Sequence, residues 1–147
     1  MMDALEAGAA AHENWTITAQ LNGDFTQAKA YEETVAYLQS SPAPDVVYCE
    51  NDNMCFGVMQ ALDELGIAYG DGGVTLISFD AGRTALAYCK DGKIDLCAEC
   101  NPLHGPRVRA LIEQLARGET PEKLSYMPEA LFTADTLTAE LLESRVY

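Results

Sequence analysis

Asp24 and Phe25, Asn51 and Asp52, Asp80, and Glu99 with Cys100 and Asn101 are the residues of this 147-residue chain best placed to do chemistry. Each falls at the carboxyl end of a strand-like run or in the turn after it. In open parallel sheets, ligands bind just beyond the carboxyl ends of the strands, so these side chains converge on one edge. Carboxylates and an amide around an aromatic ring suit a sugar. The hydroxyls give and accept hydrogen bonds, and the C–H face of the sugar ring packs on the aromatic face. Taken singly, each residue has a plainer explanation, because turns are rich in Asp and Asn.

The clearest local pattern is residues 45–62. Val46, Val47, Tyr48 and Cys49 form a short apolar run of strand length. Asn51 and Asp52 break it, and Asp52 is a natural helix N-cap. Met54, Val58, Ala61, Leu62 and Leu65 then recur at helical spacing until Gly66. The Asn-Asp pair either caps this helix or hydrogen-bonds something small and polar at the strand edge.

The rest of the chain supplies the elements that carry these residues. A helix over residues 1–11 leads through a turn at 12–14 into a strand over 15–20. Its composition is not that of a signal peptide, and a start in mid-helix implies an upstream strand. Asp24 caps a helix over 25–39, with Gln27 placed for a capping box. Further strands are predicted over 74–79 and 94–100, with an extended segment at 124–132. Helices are predicted over 83–90, 106–117 and 134–144. Strands alternating with helices imply an α/β fold, a three-layer doubly wound parallel sheet.

Composition excludes several classes of function. A formal charge of −14 is wrong for nucleic acid, whose phosphates require a basic surface. No uninterrupted apolar stretch is long enough for a membrane helix. There is no Gly-x-Gly-x-x-Gly, no Walker loop and no Gly-x-Ser-x-Gly elbow, and the glycines at 70–73 precede a strand instead of following one. Cys97 and Cys100 match C-x-x-C, but in a strand-like segment and not at a helix N-terminus. His12 and His104 show no zinc-finger spacing, so the five cysteines are expected to be small buried apolar groups. No cofactor, metal site or enzymatic activity is expected.

The motifs also carry a resemblance. Asn51-Asp52-x-Met54 entering a helix, a strand ending Ile77-Ser78-Phe79-Asp80, and a Lys90-Asp91-Gly92 turn are similar to sugar-binding proteins of the periplasmic type I class. This is the ribose, galactose and galactofuranose group that serves ABC importers. Gly23-Asp24-Phe25-Thr26-x-Ala28-Lys29, Glu99-x-x-Pro102 and Pro121-Glu122-Lys123-Leu124 resemble the galactofuranose-binding type in particular. The resemblance runs from about Thr16 onward. It implies that Asn51 and Asp80 bond sugar hydroxyls, that Phe25 stacks on the ring, and that Glu99 or Cys100 completes the site; Asp24 stays a candidate ligand residue by its place at the edge. Asp52 is then left as the cap.

The resemblance further implies a two-lobed protein of which this chain is the C-terminal part. Residues 1–101 and 129–147 would form the second lobe without its first strand, and residues 102–128 would belong to the first lobe. Val108, Leu111, Ile112 and Leu115 make an apolar stripe on the 106–117 helix. That stripe is expected to dock onto its own lobe or onto a second copy of the chain. The implied partners are a monosaccharide and, for the full-length protein, a membrane permease, in an extracytoplasmic location. The competing reading is the effector-binding domain of a LacI-type regulator, which shares the fold. Those regulators usually carry Gly-Phe-Asp-Asp where this chain has Ser78-Phe79-Asp80-Ala81.

Overall fold

β-Branched and apolar side chains at Val46 and Val47, Thr75 to Ile77, and Leu96 set the strands of a four-stranded sheet. The computed structural model describes residues 2–147; Met1, where the first helix was expected to begin, lies outside them. In chain order the elements are α1 (Met2–Ala11), α2 (Gln27–Leu38), β1 (Val46–Cys49), α3 (Asp52–Leu65), β2 (Thr75–Asp80), α4 (Arg83–Lys90), β3 (Leu96–Glu99), α5 (Gly105–Ala116), β4 (Leu131–Phe132) and α6 (Ala139–Ser144). The sheet order is β1-β2-β3-β4. β1 and β3 flank β2 in parallel, with Cys49 opposite Ser78 and Asp80 opposite Glu99. β4 runs antiparallel to β3, so the sheet is mixed at that end.

Period-two alternation gives β2 one buried face, whereas in β3 the successive residues Cys97 and Ala98 are both buried. In β2, Leu76 and Ser78 are buried, while Thr75, Ile77 and Phe79 are half-buried. The buried face meets a layer made by α2, α3 and α4: α2 lies along α3, and Phe56 of α3 meets Tyr88 of α4 edge to face at 5.6 Å. Gly57 makes the α2–α3 approach possible. A Cβ there would sit 2.3 Å from the Gln27 carbonyl oxygen, so only glycine fits. Leu62, Leu76, Leu86, Ile94 and Leu137 are almost wholly buried in this core, together with Cys55, Cys89 and Cys97. Each such leucine or isoleucine contributes about 1.5–3 kcal/mol from burial. The other face is lightly covered and carries Tyr48 and Phe79, whose rings meet at 5.1 Å.

Three predicted elements differ from what forms. Residues 15–20 take no regular structure and pair with no strand, and Trp15 is 53% exposed. β1 is the edge of the sheet, so this segment has no neighbouring strand to supply its ladder hydrogen bonds. Of the extended 124–132 segment only Leu131–Phe132 becomes strand. The last helix starts at Ala139, because the Thr138 hydroxyl caps it by accepting from the Leu141 amide at 3.1 Å. Residues 133–136 form a turn instead.

Candidate functional site

The carboxyl ends of β1, β2 and β3 bring most of the singled-out residues onto one edge. Two backbone features mark this edge. Asp24 and Phe25 have φ 49° and 53°, and Asp80 and Ala81 have φ 99° and 57°. Non-glycine residues rarely adopt these angles, and such strain persists only where the surroundings impose it.

Asn51 is the N-cap of α3. Its Oδ1 accepts from the Met54 amide at 2.8 Å, and its Nδ2 donates to the Phe25 carbonyl at 3.2 Å. The expectation that Asp52 caps the helix is therefore corrected. Asp52 lies inside the first turn with its carboxylate buried, accepting from Ser78 Oγ at 2.5 Å and from the Gly82 amide at 2.8 Å. Residue 51, not 52, has the extended backbone that a cap requires (φ −157°, ψ 167°). Capping does not exhaust Asn51: the Oδ1 keeps a second lone pair and the Nδ2 a second hydrogen. Burial pushes the Asp52 carboxyl above its ordinary value, and the hydrogen bonds from Ser78 and Gly82 oppose that rise only in part.

Asp24 does not cap α2 either. Its own amide donates to Asn22 Oδ1 at 3.0 Å in a tight turn, and Thr26 Oγ1 is the cap, accepting from the Lys29 amide at 3.3 Å. Gln27 does not complete a capping box; its amide nitrogen reaches Gln60 Oε1 on α3 at 3.4 Å. The turn is pressed against α3, since a Cβ on Gly23 would lie 2.7 Å from Met54 Sδ. The bond from Asn51 then fixes the Phe25 backbone, while its ring stands 63% exposed at the edge. Asp80 is exposed at the end of β2. Partial burial raises its carboxyl above the ordinary value, and the Asp52 backbone amide works against this.

Glu99 and Cys100 face different surroundings. The Cys100 side chain is exposed, and its amide donates to the Asp80 carbonyl at 3.3 Å. Glu99 is engaged by the 145–147 segment: Arg145 Nη1 at 2.7 Å and the Tyr147 hydroxyl at 2.5 Å on Oε1, and the Ala130 amide at 3.0 Å on Oε2. Burial alone would raise the Glu99 carboxyl, yet the bonds from Tyr147 and Arg145, the Arg145 charge and the Ala130 amide hold it below the usual range. The Tyr147 hydroxyl is pushed up to about 12, by burial first and by Glu99 second. Sequence reasoning missed Arg145 and Tyr147, which lie far along the chain and carry no motif. Ser78 was readable as a signal: a lone polar residue on the buried face of an apolar strand needs a partner. Cys97 points into the core and Cys100 into solvent, so the C-x-x-C pair is split. Among the described residues, no group of three His, Cys, Asp or Glu is arranged to hold a metal ion.

An aromatic ring, an amide and a carboxylate thus stand at the carboxyl edge of the parallel strands of an α/β lobe. The sequence model of the periplasmic binding protein domain matches residues 1–115, and the chain belongs to that family. It is 30% identical over 132 residues to the galactofuranose-binding protein YtfQ of Escherichia coli (strain K12), covering 87% of this chain and 41% of that protein. The fold matches a Mycobacterium smegmatis protein solved in complex with β-D-fucofuranose, with a TM-score of 0.83 at 30% identity over 91% of this chain and 44% of the other. It also matches a crystal structure of a galactofuranose binding protein, with a TM-score of 0.84 at 26% identity over 98% and 49%. The chain thus spans less than half the length of these relatives. Among the described residues, no helix is long and apolar enough to cross a membrane.

Proposed function

We propose that this chain is the ligand-gripping lobe of a solute-binding protein that delivers a furanose sugar to an ABC importer. The observation that supports this is the row Phe25, Asn51 and Asp80 along one strained sheet edge, the first two joined by the Asn51–Phe25 bond. An exposed ring beside a free amide hydrogen and a carboxylate offers one stacking face, one donor and one acceptor, which is what a sugar ring with hydroxyls on its rim requires. The furanose form is favoured because the relatives above carry galactofuranose and fucofuranose in their names. The match to a periplasmic binding protein domain also favours this reading over a transcription regulator. In this role the chain binds and does no chemistry, acts outside the cytoplasm, and meets a membrane permease as part of a longer protein.

The two-lobe division supports the same reading. Residues 1–101 and 129–147 make up the lobe described, and residues 102–128 belong to a facing lobe. Two observations fit this: β1 is an unpaired edge of the sheet, and α5 buries none of its residues. The expected docking of the α5 stripe onto its own lobe does not occur; Ile112 and Leu115 are each 60% exposed. The segment instead folds on itself, Arg107 Nη1 donating to the Tyr126 carbonyl at 2.5 Å. The facing lobe covers this stripe, and a homodimer through it is the alternative that ultracentrifugation of the isolated chain distinguishes.

Saturation-transfer NMR with methyl galactofuranoside and methyl fucofuranoside tests the sugar site directly. The expected result is weak binding, because a single lobe leaves half of the sugar wet. The transfer should be strongest at the ring face and should disappear in Asn51→Ala and Asp80→Ala. Transfer that survives both substitutions, or that is equal for an unrelated polyol, overturns the assignment.

A further inference from the structure

The turn after β2 holds two consecutive non-glycine residues at positive φ, Asp80 at 99° and Ala81 at 57°. Gly82, the residue that could adopt such angles freely, instead has an ordinary extended backbone (φ −66°, ψ 161°). The strain is therefore not set by local sequence preference, and something outside the turn must impose it. The Ala81 carbonyl accepts two hydrogen bonds from the Arg145 guanidinium, from Nε at 3.1 Å and Nη2 at 2.9 Å. The remaining nitrogen of that fork, Nη1, pairs with Glu99 at 2.7 Å, and the two side chains are only 12% and 7% exposed. The guanidinium also lies 4.2 Å from the ring centroid of Tyr147 and 5.2 Å from that of Phe132. The Tyr147 carbonyl in turn accepts from the Arg83 amide at 2.8 Å. The Arg83 side chain reaches back to the carbonyls of Arg145 and Glu143.

We infer that Arg145 is a positioning residue: it holds the Asp80–Ala81 turn in its strained form and so fixes where the Asp80 carboxylate stands at the sheet edge. Glu99 orients Arg145 and Tyr147 packs it, so all three act on the site from behind. A planar fork serves two acceptors in fixed directions at once, which a lysine ammonium on a flexible stem does not reproduce. Plain attachment of the 143–147 segment needs no bond to Ala81, because α6 already packs through Leu141 and Leu142. The significance of the device for sugar binding rests on the proposed role of Asp80, but the device is testable with no ligand present.

The test is amide hydrogen exchange, together with NMR titration of the Asp80 carboxyl carbon, on the full chain. The variants are Arg145→Gln, Arg145→Lys, Ala81→Gly and the Arg145→Gln/Ala81→Gly double variant. Arg145→Gln and Arg145→Lys should both speed exchange at the Gly82 amide by roughly tenfold or more while Leu62 and Leu86 stay protected. Both should also move the Asp80 titration toward the ordinary carboxyl value. Ala81→Gly in the Arg145→Gln background should restore most of the Gly82 protection, since glycine takes the turn without strain. The inference is overturned if Ala81→Gly gives no recovery, or if the Asp80 titration stays fixed while the 143–147 segment comes free. It is equally overturned if protection falls evenly across the lobe. Should Arg145→Gln not fold, Tyr147→Phe removes only the hydroxyl bond to Glu99 and is expected to shift Gly82 and Asp80 the same way by less. No shift in Tyr147→Phe then counts against the latch. A negative sugar titration leaves all of these readouts untouched, so the two ideas fail separately.

Discussion

The sheet lobe and the 102–128 arm are built from similar material and end up in opposite states. α3 and α5 are both amphipathic helices of ordinary length, yet α3 buries Cys55, Val58, Met59, Ala61 and Leu62 while α5 buries nothing. The difference is not propensity, because both helices form. α3 has a sheet face and a neighbouring helix to cover its stripe, and among the described residues α5 has no such cover. A hydrophobic stripe therefore reports that a surface is meant to be covered, without saying where the cover comes from.

The sharpest way to break this contrast is Leu86→Ala, which empties a fully buried position between α4 and the sheet. It should cost about 2–5 kcal/mol in urea unfolding. A cost under 1 kcal/mol would mean the lobe is loosely packed and no different in kind from the arm. Asp52→Ala should come next, at about 1–3 kcal/mol, because it leaves Ser78 Oγ and the Gly82 amide without their buried acceptor. If that variant proves as stable as the parent, the connection between α3 and the turn after β2 is not structural.

The Glu99 cluster gives a pH signature. Its folded carboxyl lies below the ordinary value, so as pH falls the unfolded chain takes up the proton first and equilibrium shifts toward unfolding. Its contribution is present above the ordinary Glu range and is lost as pH falls through the depressed value. Asp52 and Asp80, whose carboxyls are raised, tilt the other way. The difference in urea midpoint between the parent and Glu99→Gln across acid pH isolates the Glu99 term. A difference that stays constant with pH would show that Glu99 is not held as an anion by Arg145 and Tyr147.

Ile112→Ala should have the smallest effect, within about 0.5 kcal/mol, since its side chain is already mostly in water. A loss comparable to that of Leu86→Ala would show that the α5 stripe is covered in solution, by a second copy or by another surface of the chain.

Much of the site was legible from single residues, and the misreadings were local. The β1–α3 step, the Asp80 strand end and the limits of α4 follow from apolar runs, a polar break and a terminal glycine turn. The order of roles at residues 51 and 52 did not follow. Asn and Asp are nearly equal as caps, and only the extended backbone of Asn51 and the partner at Ser78 decide between them. The 15–20 strand was misjudged because β-propensity describes a residue's fit to a sheet and cannot supply the neighbouring strand.

The sequence by itself determined the alternation of elements and the placing of Phe25, Asn51 and Asp80 toward one edge, while the choice between Glu99 and Cys100 stayed open. These depend on periodicity and chain order, which are properties of neighbouring residues. Only the tertiary structure decided that Arg145 and Tyr147 close over Glu99 and hold Ala81, and that α5 stands uncovered. Such contacts join residues tens of positions apart, and their energy depends on mutual desolvation, which no local pattern records.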